Sequence, residues 1–210
     1  MKISIVKERR PHETRVAATP ETVKKLQALG AEITIEAGAG TAAAYTDQAY
    51  ADAGATIVPD AAAAFAAGDI VFKIQRPMSA AEGTDELALL RQGQTLMSPL
   101  GALTNKELVQ ALASRGVTSF ALELIPRITR AQSMDILSSQ ANLAGYKAVL
   151  LAANNFGRIF PQMMTPGGTL APSRAFIMGV GVAGLQAIAT ARRLGSVVTA
   201  TDVRPATKEQ

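Results

Sequence analysis

Cysteine is absent from the 210 residues. That removes disulfides, thiolate nucleophiles, iron–sulfur clusters and most zinc sites together. Histidine occurs once, at His12, so a His general base or a multi-His metal cage has almost nothing to draw on. Aromatic residues make up 4% of the chain, and no basic run exceeds a pair such as Arg9-Arg10 or Arg192-Arg193. With a formal charge of only +4, nucleic acid is not an expected partner. Long apolar runs are missing too: the opening stretch turns charged at Lys7, short of a signal-peptide core, and no run approaches the roughly 18 residues of a spanning helix. These absences describe a soluble, cytoplasm-facing chain. What is present is 48% hydrophobic against 18% charged residues, enough for one generous domain or two small ones with real cores.

Short β-rich runs alternate with helical stretches. Residues 3–6 read as a strand, and residues 20–29 as a helix, with Thr19 as N-cap, Pro20 at its first position and Gly30 past its end. Strands at 32–36, 56–58, 69–73, 94–97 and 117–121 follow, with helices at 46–53, 60–67 and 105–115 between them. Strands separated by helices of this length predict a mostly parallel α/β sheet. After residue 124 the character changes: a Pro- and Arg-bearing loop leads to a long helical pattern over 134–155, then to a breaker-rich connection, PQMMTPGGTLAP. The expectation is a two-lobed α/β protein. Residues 1–124 form an N-terminal parallel-sheet lobe, and residues 125–210 hold the loop, the long linking helix and the first β-α-β half of a Rossmann lobe.

That β-α-β carries the clearest motif. A strand over 174–178 runs into Gly179-Val180-Gly181-Val182-Ala183-Gly184, a helix follows over 185–194, Gly195 ends it, and a second strand over 197–200 leads to Asp202. This is G-x-G-x-x-G between a strand and a helix, with an acid about 20 residues on, the dinucleotide-binding pattern. Gly179 serves the tight turn, Gly181 the approach of backbone to a pyrophosphate, and Gly184 the packing of helix on strand. The helix N-terminus offers free N–H groups to phosphate. Asp202 can accept both ribose hydroxyls and repels a 2′-phosphate, which favours NAD over NADP; Arg204, two residues on, is of the type that accommodates a 2′-phosphate. Upstream, the polar segment from Arg127 to Gln140 places Asp135 at the start of the long helix, with Ser138 on the same face. A capped helix start and a binding loop both fit that pattern.

A resemblance extends this reading. RAQSMDILSSQANLAGY (130–146), GALTN (101–105), KIQRPM (73–78), GVGVAGLQAIATA (179–191) and TDVR (201–204) resemble the NAD(H)-binding domain of the proton-translocating NAD(P) transhydrogenases, alpha subunit. The likeness begins at KERRPHETRVAATPE (7–21) and runs on through the chain. It implies hydride transfer from NADH to NADP+, Re/Si-specific and coupled to proton translocation through a membrane portion. It also implies catalytic positions at Arg127, Gln132, Asp135 and Ser138, which in that family orient the nicotinamide, its carboxamide and its ribose, lined by Ile128, Thr129, Ile136 and Leu137. Gly181, Val182 and Ala183 match the pyrophosphate turn, and Asp202, Val203 and Arg204 the adenosine ribose site. No metal is implied. The implied partners are an NADP(H)-binding domain, a membrane domain and a second copy in a homodimer. The implied place is the cytoplasmic face of the inner membrane.

The residue chemistry is compatible, because hydride passing directly between two nicotinamides leaves no substrate proton to abstract, so positioning suffices. An alanine dehydrogenase-like amino-acid oxidoreductase is the alternative, through Arg15, Lys73 and the same turn. In that family a histidine falls where this chain has Gly101, and oxidative deamination needs an acid–base group. A non-catalytic module is a third reading, since one β-α-β is half of a dinucleotide fold. On that count the isolated chain is expected to be inactive without its partner domains.

Overall fold

The computed structural model describes residues 1–209, the Lys208 side chain excepted; Gln210, the last residue of the expected second lobe, lies outside the described residues. The chain divides into two compact units, Met1–Pro126 and a second that starts at Arg127.

The first unit is a six-stranded sheet, every pairing parallel, in the order β3-β2-β1-β4-β5-β6. Its strands are β1 (Lys2–Ile5), β2 (Glu32–Glu36), β3 (Thr56–Val58), β4 (Ile70–Phe72), β5 (Thr95–Ser98) and β6 (Thr118–Ala121). Helices α1 (Pro20–Ala28), α2 (Asp47–Asp52), α3 (Ala61–Ala67), α4 (Glu86–Leu89) and α5 (Lys106–Ser114) connect them. Local chemistry sets each helix start: the side chains of Thr19, Thr46, Asp60, Asp85 and Asn105 accept N–H groups of the first turns of α1 to α5 in order. Ile3, Ser4 and Ile5 are all buried, as a central parallel strand covered on both faces requires. One core packs Ile3, Ile5, Val23, Ile33, Ile35 and Tyr50; another packs Val6, Phe65, Val71, Leu96, Leu108 and Leu112.

Strand order reverses between β1 and β4, the place where an open α/β sheet leaves a crevice. Here that crevice holds a buried ion network. Lys73 Nζ, just past β4, donates to Glu8 Oε2 at 3.2 Å and to Glu86 Oε1 at 3.0 Å. The other oxygens are also used: Glu8 Oε1 accepts the Ile74 N–H at 2.6 Å, and Glu86 Oε2 that of Met78 at 2.9 Å. Arg9 reaches Glu86 at 3.5 Å and is bonded to Glu36. Burial pushes the Glu8 carboxyl above its ordinary range against the pull of Lys73. Beside this network Arg15 clasps Glu13 through Nε at 2.8 Å and Nη2 at 2.6 Å, holding that carboxyl down at about 2.

The second unit holds α6 (Ile136–Asn155), the hairpin β7 (Met163–Thr165) and β8 (Gly168–Leu170), then β9 (Arg174–Met178), α7 (Val182–Arg193) and β10 (Val197–Thr201). β9 and β10 pair in parallel, with Val197 opposite Arg174 and Thr201 opposite Met178. Val149 of α6 packs with Ala187 and Ala191 of α7 in the core. The segment expected as a breaker-rich connection contains the hairpin, whose strand residues are all exposed. The helix expected from 134 begins at Ile136, because a 3-10 turn over Thr129–Met134 precedes it and Asp135 caps it. Among the described residues no helix is long and apolar enough to cross a membrane, and no cluster suits a metal ion.

Two measurements check the charge arrangement. Lys73→Met leaves the buried Glu8 carboxyl without its cation and Glu86 with Arg9 alone, and urea unfolding is expected to show a loss of about 3–5 kcal/mol. For Glu13, the folded carboxyl titrates near 2 against an ordinary 4.5, so its contribution is complete above 4.5 and lost as pH falls toward 2. Melting temperature should therefore drop across that acid window, and Glu13→Gln should make the drop shallower.

Candidate functional site

The glycine turn is built by backbone fit. Gly179 follows β9 at φ 95°, a left-handed value that favours glycine, and its N–H donates to Thr201 O at 2.7 Å, tying the ends of β9 and β10 together. α7 begins at Val182, three residues earlier than the sequence suggested, so Gly184 lies inside its first turn. A Cβ on Gly184 would overlap the Gly179 carbonyl oxygen. The helix therefore starts pressed against the turn it leaves. The outer side of the turn is open: a Cβ on Gly179 would meet nothing within 4 Å, and one on Gly181 only Arg204 Nη2, at 3.8 Å. Gly181 N-caps α7 without a side chain, which leaves first-turn N–H groups of Val182 and Ala183 for an anion.

Asp202 stands just past β10 and reaches back over this turn. Its Oδ2 accepts the Val180 N–H at 2.7 Å and Arg204 Nη2 at 3.0 Å; its Oδ1 accepts Arg204 Nε at 3.0 Å and the Arg204 N–H at 2.9 Å. The Arg204 bonds, then that of Val180, hold the carboxyl well below the usual range, so it is an anion at neutral pH. Val203 between them is fully exposed. A cleft of about 530 Å³ opens beside the pair, walled by Val180, Leu185, Ile188, Asp202, Arg204 and Thr207. An anionic ribose acceptor, free helix N–H groups and an open glycine turn beside a partly apolar cleft suit the adenosine and pyrophosphate of a dinucleotide.

The second group of candidates lies on the approach to α6. Asp135 is the N-cap: its Oδ1 accepts the Ser138 N–H at 2.9 Å and its Oδ2 the Ser138 hydroxyl at 2.6 Å. These bonds lower the Asp135 carboxyl, with Arg127 adding a smaller electrostatic pull. Arg127, Ile128, Thr129 and Gln132 are exposed on or beside the 3-10 turn, which Ala131 anchors by burial; Ile136 and Leu137 open the helix. Asp135 and Ser138 are thus brought together, and so are Asp202, Arg204 and the glycine turn.

α6 connects the two groups, through a residue that the sequence did not single out. Gly145 is buried, and a Cβ there would overlap the Ala183 carbonyl oxygen in the first turn of α7. The contact lies ten residues along α6 from Asp135, or about 15 Å of helix. The available signal was a glycine inside a strong helical pattern, which costs about 1 kcal/mol against alanine and so implies a packing reason.

Known proteins share this sequence pattern and fold. The model of the alanine dehydrogenase/PNT N-terminal domain matches residues 4–144, and that of the C-terminal domain residues 148–210. Over all 210 residues the chain is 62% identical to an NAD(P) transhydrogenase subunit alpha polypeptide of Rhodospirillum rubrum, and spans 55% of that protein's length. The solved transhydrogenase of Sinorhizobium meliloti superposes on the whole chain with a TM-score of 0.93 at 51% identity, the chain covering 61% of it. A solved L-alanine dehydrogenase superposes on the whole chain at 0.86 and 30% identity, with 56% of that structure covered. The chain thus spans little more than half the length of these relatives.

Gly145→Ala tests the backbone fit. The added methyl has to displace the Ala183 carbonyl, so thermal or urea unfolding should show a loss of about 1–3 kcal/mol.

Proposed function

The chain belongs to the alanine dehydrogenase/PNT family, and from that premise we propose that it is the NAD(H)-binding portion of a transhydrogenase. The observation that carries this reading is the Asp202 carboxylate, hydrogen-bonded at 2.7 Å to the Val180 N–H within the open glycine turn. An acid fixed there accepts the ribose hydroxyls of an adenosine whose pyrophosphate lies on Gly181, Val182 and Ala183. The preferred nucleotide in this reading is NAD(H), with NADP(H) on a partner domain.

The loop residues Arg127, Ile128, Thr129 and Gln132, with Asp135, Ile136, Leu137 and Ser138 at the helix start, hold the nicotinamide end. When bound, the dinucleotide supplies the hydride chemistry, from NADH toward NADP+. The protein's own contribution is orientation: Gln132 and Arg127 offer exposed hydrogen-bonding groups, while Asp135 is locked to Ser138 and fixes the loop against α6. The further assembly in this reading includes an NADP-binding domain, a membrane domain that couples the transfer to proton movement, and a second copy of the chain. The chain then sits at the cytoplasmic face of the inner membrane, inactive in isolation.

The amino-acid dehydrogenase alternative relies on Arg15 and Lys73, and their surroundings weaken it. Lys73 faces two carboxylates and Arg15 is clasped by Glu13, so the charge of each is already answered within the fold.

Titrating NADH into the chain while following nicotinamide fluorescence tests the reading. Saturable binding is expected, weakened about ten- to a hundredfold by Asp202→Ala, since a hydrogen bond to a charged group is worth about 1.5–3 kcal/mol. A folded chain with no saturable response would remove the dinucleotide site.

A further inference from the structure

Arg204 is held in an arrangement that the nucleotide pattern does not show, and what it means depends on the dinucleotide reading above. Its guanidinium is bound bidentately to Asp202, Nε to Oδ1 and Nη2 to Oδ2, each at 3.0 Å. Nη2 also comes within 3.8 Å of the Cβ position on Gly181. The cation is therefore folded back over the space between the ribose acid and the phosphate turn. Its backbone is anchored separately: Thr207 donates to the Arg204 carbonyl through its hydroxyl at 2.8 Å and its N–H at 3.2 Å. Losing the carboxylate would free the side chain and the Arg204 N–H, while the Thr207 bonds would still hold the Arg204 carbonyl. The Arg204 side chain is 60% exposed while that of Asp202 is 6% exposed, so the arginine is the solvent-facing partner of the two.

A guanidinium at this point beside the adenosine ribose is the group that receives a 2′-phosphate, with a planar fork matched to phosphate oxygens. The geometry points to a masked 2′-phosphate site: Arg204 could hold NADP(H) but is kept closed by Asp202. One carboxylate thereby sets NAD(H) preference twice. It repels the phosphate directly, and it occupies the guanidinium that lies over the turn. Because the arginine is exposed and the pairing is local, the mask is cheap to remove.

The test compares NADH and NADPH titrations of the parent chain, Asp202→Ala, Arg204→Ala and the double variant, each checked for cooperative melting. Asp202→Ala is expected to weaken NADH and to tighten NADPH about tenfold, the scale of one charge-assisted hydrogen bond. The double variant should lose that gain, and Arg204→Ala alone should keep the NADH preference at least as strong as the parent's. If Asp202→Ala does not melt cooperatively, Asp202→Ser, whose hydroxyl can still accept from Val180, carries the same comparison. NADPH binding that Asp202→Ala leaves unimproved, or that is equal in the single and double variants, overturns the mask while NADH binding by the parent upholds the site. A parent that prefers NADPH also overturns it. A parent that binds neither nucleotide overturns the dinucleotide reading and this inference with it.

Discussion

The second unit depends on backbone meeting backbone without a side chain between. At Gly184 the missing Cβ lets α7 start against the Gly179 carbonyl, and at Gly145 it lets α6 lie against the Ala183 carbonyl. Strand, turn and two helices thus stack at distances that one methyl group would prevent. Interiors are packed tightly enough that such an intrusion costs energy rather than being absorbed. The place of Asp202 follows from the same fit. Register between β9 and β10, closed by the Gly179 N–H on Thr201 O, delivers the carboxylate to the Val180 N–H. The chemistry of the turn is a consequence of its packing.

Charge is used in two opposite ways. Around Lys73 every participant is buried and every carboxylate oxygen is engaged, two of them by backbone N–H groups. Breaking such a network strands a charge in a low-dielectric interior, so it holds a structure and resists exchange. The Asp202–Arg204 pair has an exposed cation, screened by solvent, and little is lost when that cation leaves. A group that must trade partners when a ligand arrives has to be of the second kind. At the strand-order reversal of the first unit stands a network of the first kind, whose Glu8 also lines a cavity of about 220 Å³ with Glu13 and Arg15.

The features legible in sequence were those governed by local chemistry. Thr19, Pro20 and Gly30 bracket α1 as read, and Asp135 caps α6 because a carboxylate there satisfies first-turn N–H groups whatever surrounds it. The six-stranded parallel sheet followed from alternation and helix length. The hairpin at Met163–Thr165 and Gly168–Leu170 was not legible, since strands of three exposed residues leave no alternation to detect. Nor was the bond from Lys73 to Glu8, across 65 residues, because spacing carries no information about partners that the topology brings together. At the candidate site, the glycine turn and its terminal acid were readable as a pattern. That Arg204 closes on that acid, and that Gly145 supports the turn from behind, depended on three-dimensional packing.

The carboxylates also bear on reaction class. Abstracting a proton from a substrate requires a base whose lone pair is free and whose proton affinity is near the working pH. Asp135 has both oxygens on Ser138 and is held low, so it can fix a loop but is a poor base. Asp202 is also held low, by the bonds from Arg204 and Val180. Glu8 is the carboxyl whose proton affinity burial raises, yet Lys73 and the Ile74 N–H occupy it. Neither Asp135 nor Asp202 is therefore placed to receive a substrate proton. Hydride passing from one nicotinamide to another asks for none, only for two rings held in line. Within the second unit, fixed hydrogen-bond partners at Asp135 and Asp202 suit positioning rather than proton abstraction.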